Sequence, residues 1–167
     1  MKIQFEEWFE EHENDFPESA IDLFKESVLC YKVGANRSAF LMALNGFHII
    51  ISDRYINCSI KPQTIDDNYW IQTKKELKDD DKRDDSLRDL IYRNLERRGF
   101  LISEIIKNEY RTLRDIRNIC AHGKKEKIED YRVEQIWAFI QKNLVSFTIN
   151  GGKDYLLEKI REHYDVT

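Results

Sequence analysis

Apolar side chains recur every three or four residues over most of the chain, which is the spacing of helices with one buried face. Residues 17–33 show this spacing, and the predicted helix ends before Gly34. Residues 36–56 are apolar on almost every side through the run FLMALNGFHIII, which predicts a buried central helix or a helix in an interface. The same periodicity predicts two later helices, over residues 101–121 and 129–148.

The remaining stretches are shorter or more polar. Residues 60–84 are expected to form a loop with a short helix around Trp70, and their charged run KDDDKRDD to be a mobile surface segment. Helical spacing returns over residues 85–97, and a short helix is expected at about residues 153–164. The pattern predicts an all-α fold, an up-and-down bundle of four core helices with extra short helices.

Composition agrees with a globular helical protein. Of 167 residues, 41% are hydrophobic and 35% charged, and six Gly and two Pro are few breakers for this length. No apolar run is long enough to span a bilayer, and the acidic N-terminus lacks the basic and apolar regions of a signal peptide. The three cysteines (Cys30, Cys58 and Cys120) form neither a disulfide framework nor a zinc-ligand pattern. We therefore expect a cytoplasmic protein without a metal or other cofactor and without membrane contact.

Charge is distributed unevenly along the chain. The net charge is -4, yet residues 107–127 hold seven Lys or Arg against three acids, and residues 1–19 hold one Lys against seven acids. A local basic patch on an acidic protein suits a phosphate-bearing ligand, although a solvated helix face has the same composition. Residues 1–15 are expected to lie near this patch and to be dispensable for folding.

The segment LRDIRNICAHG, residues 113–123, presents an unusual set of polar side chains. On a helix Arg114, Asn118 and His122 share one face, and Arg117 lies on its flank. These four side chains are expected to point away from the monomer's core. The apolar stripe expected to face that core consists of Ile102, Ile105, Ile106, Leu113, Ile116 and Cys120.

Arg117 and His122 are five positions apart, which is about 140° on an ideal helix. They would not meet in one protomer, so the spacing favours a site shared across a twofold dimer. A purely structural interpretation also fits: a His before the helix-terminal Gly123 can cap carbonyl groups, and the Arg can pair with Asp115.

Two segments carry a resemblance to a known family. The arrangement Arg-Asn-x-x-x-His, formed by Arg117, Asn118 and His122, resembles the signature of the HEPN superfamily. The upstream stretch FKESVLCYKVGANRSAFLMALNGF resembles the first two helices of many bacterial HEPN domains, and Arg37 matches the Arg of their Cys-Tyr-x-x-Gly-Ala-x-Arg-x-Ala run. The chain is interpreted as one HEPN-like domain over residues 1–167.

The resemblance covers about residues 17–147, which form the expected core of that domain. An insertion at about residues 60–98 and the tail after residue 150 are not explained by it.

The resemblance implies a metal-independent endoribonuclease of a bacterial toxin–antitoxin or phage-defence system. A His that titrates near neutral pH suits proton transfer, and an Arg suits a phosphate group that gains charge. RNA, a second copy of the chain that completes the site, and an antitoxin or defence-system protein are the expected partners. The alternative is a non-catalytic HEPN-like module that binds nucleotide or RNA or scaffolds a partner. The implied catalytic residues are Arg117, His122 and Asn118, and the implied RNA-binding residues are Arg114, Lys124, Lys125 and Arg37.

The family pattern is incomplete in one respect. Some HEPN toxins carry a Tyr shortly after the His, and an antitoxin modifies it; here the next Tyr is Tyr131, which puts that control mechanism in doubt. Of the other candidates, His48 is interpreted as a satisfied core or interface histidine. Trp70 and Trp137 are interpreted as core aromatics. Cys120 is interpreted as a small core residue rather than a metal ligand beside His122.

Overall fold

The computed structural model describes residues 1–93, 99–123, 125–149, 157 and 160–164. Part of the helix predicted over residues 85–97, and most of the one predicted at about residues 153–164, lie outside the described residues. The described α-helices are α1 (Gln4–Glu11), α2 (Glu18–Lys32), α3 (Asn36–Ile56), α4 (Asp67–Leu77), α5 (Arg83–Arg88), α6 (Glu104–Ala121) and α7 (Asp130–Asn143). A π-helical turn over Asp89–Arg93 follows α5, and a 3₁₀ turn over Leu144–Ser146 follows α7.

These helices confirm the all-α prediction. In the described ranges the only strand-like pairing is one isolated antiparallel bridge between Phe100 and Ile149. The four-helix bundle core and the single-domain interpretation remain predictions. None of the described helices combines the length and apolar character that a membrane span requires.

Two compact units make up the chain. The first comprises Met1–Ile50 and Glu104–Val145, and the second comprises Ile51–Ser103 and Ser146–Thr167. The first unit holds α1, α2, α6, α7 and most of α3, and it contains every residue of the predicted site.

The core of the first unit is aromatic and tightly closed. Gly46 of α3 lies so near α2 that a Cβ atom there would sit 2.6 Å from the Phe24 ring and 3.2 Å from the Ala20 carbonyl oxygen. A side chain at this position would force the two helices apart, so the glycine allows their close packing. Helix α3 spans Asn36–Ile56 as predicted, and its apolar side chains are mostly buried within the protomer.

A buried hydrogen-bond chain ties three helices of this unit together. The indole Nε1 of Trp137 donates to Ser27 Oγ at 3.0 Å, and Ser27 Oγ donates to the carbonyl oxygen of Ala39 at 2.7 Å. The Ser27 hydroxyl and the Trp137 indole N–H are thereby satisfied. Trp137 is 3% exposed, which confirms its interpretation as a core aromatic.

The acidic N-terminal segment belongs to this core. Phe5 and Phe9 of α1 are 1% and 0% exposed. The Phe5 ring stacks on Trp137 with centroids 5.1 Å apart and meets the Phe24 ring edge-on at the same distance. The expectation that residues 1–15 are dispensable for folding is therefore wrong. The expectation was based on the acidic composition of this segment. It did not take into account that Phe5 and Phe9, four positions apart, share one face of a helix.

The second unit has its own aromatic cluster. Tyr55 at the end of α3 packs on Trp70 with centroids 4.8 Å apart, and Phe100 packs on Phe147 at 5.6 Å. Lys74 lies over the Trp70 ring, 4.4 Å from its centroid. Trp70 is therefore a core aromatic within α4, as predicted.

The charged run of residues 78–85 is only partly a loop. Its last residues, from Arg83 onward, begin α5, and the Arg83 guanidinium pairs with Asp80 at 2.9 Å. The prediction of a loop is wrong for these last residues.

The burial of Phe5 yields a test of α1. Phe5→Ala should lower the free energy of unfolding by about 3–5 kcal/mol, because a buried aromatic side chain and its ring contacts are lost. Leu29→Ala, at a position that is 64% exposed, is the matched control and should change it by less than about 0.5 kcal/mol. Urea titration measures both. A Phe5→Ala midpoint equal to that of the control would show that α1 contributes nothing to the core.

Candidate active site

One buried polar contact fixes the orientation of α6. The Oη atom of Tyr110 and the Nε2 atom of His48 on α3 share a hydrogen bond of 2.8 Å, and the two residues are 0% and 3% exposed. His48 is therefore a satisfied core histidine, as expected. The contact lies on the buried face of α6, which also carries Leu113 and Ile116.

The buried face of α6 differs from the predicted stripe. Leu113, Ile116 and Cys120 are buried as expected, whereas Ile105 is 71% exposed. Lys107 and Arg114 take part in the buried face instead, at 2% and 5% exposed.

The placement of Arg114 on the solvent face with Asn118 and His122 is therefore wrong. The long aliphatic stems of Lys and Arg bury well, so counting them as surface residues displaced the predicted core face. Lys107 also pairs through Nζ with Glu104 Oε1 at 3.1 Å.

The C-terminal end of α6 presents His122 to solvent. The helix ends at Ala121, and Gly123 has a φ of +60°, the left-handed conformation that a helix-capping glycine adopts and that L side chains rarely do. The backbone N–H of His122 donates to the carbonyl oxygen of Asn118 at 3.1 Å, so the last turn holds the His122 main chain while its ring remains exposed. The predicted glycine cap is confirmed.

Arg117 and Asn118 lie one turn before His122. Arg117 is half-buried, and its Nη1 atom donates to Asn118 Oδ1 at 3.2 Å. Asn118 is also half-buried. The structure thus links Arg117 to Asn118 directly and leaves His122 on the exposed end of the same helix, in line with the angular separation expected from the sequence.

Arg37 makes two hydrogen bonds that the sequence did not indicate. Its Nη1 atom donates to the carbonyl oxygen of Ile119 at 2.7 Å, and its Nη2 atom donates to the carbonyl oxygen of Glu126. The guanidinium therefore bonds main-chain atoms of α6 and of the segment that follows it. Its predicted role in RNA binding stays a prediction, and one N–H of each of these two nitrogens bonds the protein itself.

The lysines after His122 are exposed where they are described. Lys125 and Lys127 are exposed, and Lys124 lies outside the described residues. Lys127 also lines a shallow pocket of about 390 Å³, together with Ile128 and the first residues of α3. The segment therefore offers cationic side chains to solvent directly beyond the candidate histidine.

Cys120 is a buried residue of α6 with a thiol that is not suited to chemistry. It is 6% exposed, and burial raises the pKa of its thiol, which keeps it protonated and unreactive near neutral pH. Its interpretation as a small core residue is confirmed. Across the residues that the structure describes, no group of three or more His, Cys, Asp or Glu side chains is arranged to hold a metal ion.

Sequence reasoning missed Asn36. This residue begins α3, and its Nδ2 atom donates to the carbonyl oxygen of Ile128 at 3.0 Å and to Asp130 Oδ1 at 2.7 Å. An Asn at a helix start directly before the family-like Arg37 was the available indication. Together the two residues attach the start of α3 to the segment between α6 and α7.

Comparisons with protein-family models, with curated proteins and with solved structures give no match for this chain.

The burial of Arg114 separates a structural from a surface role. Arg114→Ala should lower the free energy of unfolding by about 1–3 kcal/mol, because a buried side chain and the groups it contacts lose their packing. Arg111→Ala, three residues earlier and exposed, is the matched control and should change it by about 0.5 kcal/mol or less. Thermal and urea unfolding of both variants provide the measurement. An equally small decrease in the free energy of unfolding in both variants would show that Arg114 does not contribute to the core.

Proposed function

We propose that this protein is a HEPN-type, metal-independent endoribonuclease that acts as a homodimer. The observation that carries the proposal is the arrangement at the end of α6. An exposed His122 stands one turn beyond an Arg117 guanidinium that is hydrogen-bonded to Asn118. This is the residue set of the HEPN signature: Arg117 and Asn118 lie in the last turns of α6, and His122 directly follows the helix.

The chemistry of these groups suits cleavage of RNA by its own 2′-hydroxyl. The 2′-oxygen attacks the adjacent phosphorus and loses its proton to a base, while the bond from phosphorus to the 5′-oxygen breaks and that oxygen gains a proton. His122 is suited to proton transfer in this reaction. Arg117 is suited to the extra negative charge on the phosphate oxygens, because its planar fork can bind two of them. The products are a 2′,3′-cyclic phosphate and a 5′-hydroxyl.

RNA contacts outside the reacting centre would come from the exposed lysines. Lys125 and Lys127 extend the positive charge beyond His122 toward the phosphate backbone, and Lys124 belongs to the same run. We leave Arg114 out of this set because it is buried.

A twofold dimer would complete the site. Arg117 is half-buried on one side of α6, and His122 is exposed about 140° away. A phosphate bound by Arg117 of one protomer would therefore be contacted by His122 of the other protomer. Because the apolar side chains of α3 are mostly buried in their own protomer, association would depend on apolar groups elsewhere. Large exposed ones in the first unit include Ile105, Tyr131 and Val145.

The biological setting that we propose is a bacterial toxin–antitoxin or phage-defence system, with an antitoxin or defence protein as the regulatory partner. The alternative is a non-catalytic HEPN-like module that binds nucleotide or RNA or scaffolds a partner. RNA binding without any cleavage would select that alternative.

Cleavage should survive EDTA. RNA incubated with the protein and EDTA should yield 2′,3′-cyclic phosphate and 5′-hydroxyl ends, while DNA of the same sequence should stay intact because it has no 2′-hydroxyl. His122→Ala should slow cleavage about 10²–10⁴-fold. Arg117→Ala should slow it about 10²–10³-fold. Arg117→Lys should also be slow, because an ammonium group cannot make the two-point contact.

His163→Ala is the matched histidine control, since His163 is exposed and is not one of the residues proposed for the site. It should cleave at the wild-type rate. The ribonuclease proposal fails if His122→Ala and Arg117→Ala are folded and cleave as fast as this control.

The dimer should be present before RNA is added. Light scattering at tens of micromolar protein should give twice the 20.1 kDa mass of the chain. The Ile105→Asp and Val145→Asp variants test whether the exposed apolar positions contribute, because a charge placed in an apolar interface weakens association. A wild-type protein with the mass of one chain at this concentration would contradict the shared site.

A further inference from the structure

The two hydrogen bonds of Arg37 lie on both sides of His122 in the sequence. The carbonyl oxygen of Ile119 is three residues before the histidine, and that of Glu126 is four residues after it. One guanidinium therefore joins the last turn of α6 to the chain that leaves it. The planar guanidinium thus makes one bond to each of the two stretches.

Asn36 strengthens the same attachment one residue earlier. Its side-chain amide donates to the Ile128 carbonyl and to Asp130 Oδ1. The chain from Glu126 to Asp130 is thus attached to α3 through two successive residues, Asn36 and Arg37. The described residues of this segment, 125–129, have no helical or strand hydrogen bonding of their own, so side-chain donors supply what secondary structure does not.

We propose that Arg37 is a positioning residue that fixes the main chain around His122, and that it does not contact RNA. The inference rests on the proposed function for its catalytic consequence, while its structural part stands independently. A catalytic imidazole must be held to within a fraction of an ångström, and small displacements of such a group cost large factors in rate. The guanidinium supplies that constraint through the backbone on either side of the ring.

Two features distinguish this role from a phosphate contact. One N–H of Nη1 and one N–H of Nη2 each donate to a main-chain carbonyl, so both ends of the fork face the protein backbone. In addition, the two ends of the planar fork reach two different carbonyls. A Lys at this position would keep the positive charge and lose one of the two bonds.

The test compares Arg37→Lys and Arg37→Ala with the wild-type protein and with Arg111→Lys, a matched control on the exposed face of α6. Hydrogen exchange of the backbone amides in residues 121–129 is measured first, without RNA. Both Arg37 variants should exchange at least about 10-fold faster in this segment, because the restraint on local opening is lost. Amides of α2 and of the control variant should exchange at the wild-type rate, which shows that the variants are folded.

Cleavage and binding are then measured separately. Single-turnover cleavage at saturating RNA should fall at least about 10-fold in both Arg37 variants. Affinity for a non-cleavable 2′-O-methyl RNA, and its dependence on salt, should stay within about twofold of wild type. Lys127→Ala removes an exposed cation that lines the same pocket as Arg37. It should weaken binding and reduce the slope of log affinity against log salt concentration by about one, the contribution of one phosphate contact.

Each outcome decides the matter. If Arg37→Ala weakens binding and lowers the salt dependence as Lys127→Ala does, Arg37 contacts RNA and the proposal is wrong. If exchange in residues 121–129 is unchanged, Arg37 does not restrain the segment and the proposal is again wrong. If the wild-type protein cleaves no RNA, the proposed function fails, while faster exchange in the Arg37 variants would still establish the restraint.

Discussion

The candidate site depends on one constraint, the fixed rotation of α6 about its own axis. The buried hydrogen bond between Tyr110 and His48 holds this rotation, because neither polar atom can turn away without losing its partner in the core. With one face held, the positions of Arg117, Asn118 and His122 follow from the geometry of the helix. The core thus determines which face of α6 carries these residues.

The second constraint is the way the chain leaves α6. Gly123 ends the helix directly after His122, and Arg37 and Asn36 then attach the following segment to the start of α3. An exposed histidine at a frayed helix end would sample many positions. Here Arg37 and Asn36, at the start of α3, bond backbone carbonyls before and after it.

The sequence predicted the positions of the helices well, but it predicted less well which face of each helix is buried. The bounds of α3 and the end of α6 at its glycine were predicted from apolar periodicity and a cap residue, both of which are local properties. The burial of Arg114 and Lys107 was not predicted, because a hydropathy pattern treats a long cationic side chain as a surface group although its stem packs like an apolar one.

Arg37 and Asn36 show what local patterns leave out. Both contact residues more than eighty positions away, so their role appears only when the helices are packed. Likewise the acidic composition of residues 1–15 concealed Phe5 and Phe9, whose place in the core depends on partners in α2 and α7.

The central claim is that Arg117 of one protomer works with His122 of the other. Co-expression of Arg117→Ala and His122→Ala chains tests it most directly, because a mixed dimer then carries one intact pair and one pair with both residues lost. With random pairing, half of the dimers are mixed and each has one of two sites, so about a quarter of the wild-type cleavage rate should return. Cleavage no faster than that of either variant alone, in a preparation shown to contain mixed dimers, would contradict the shared site.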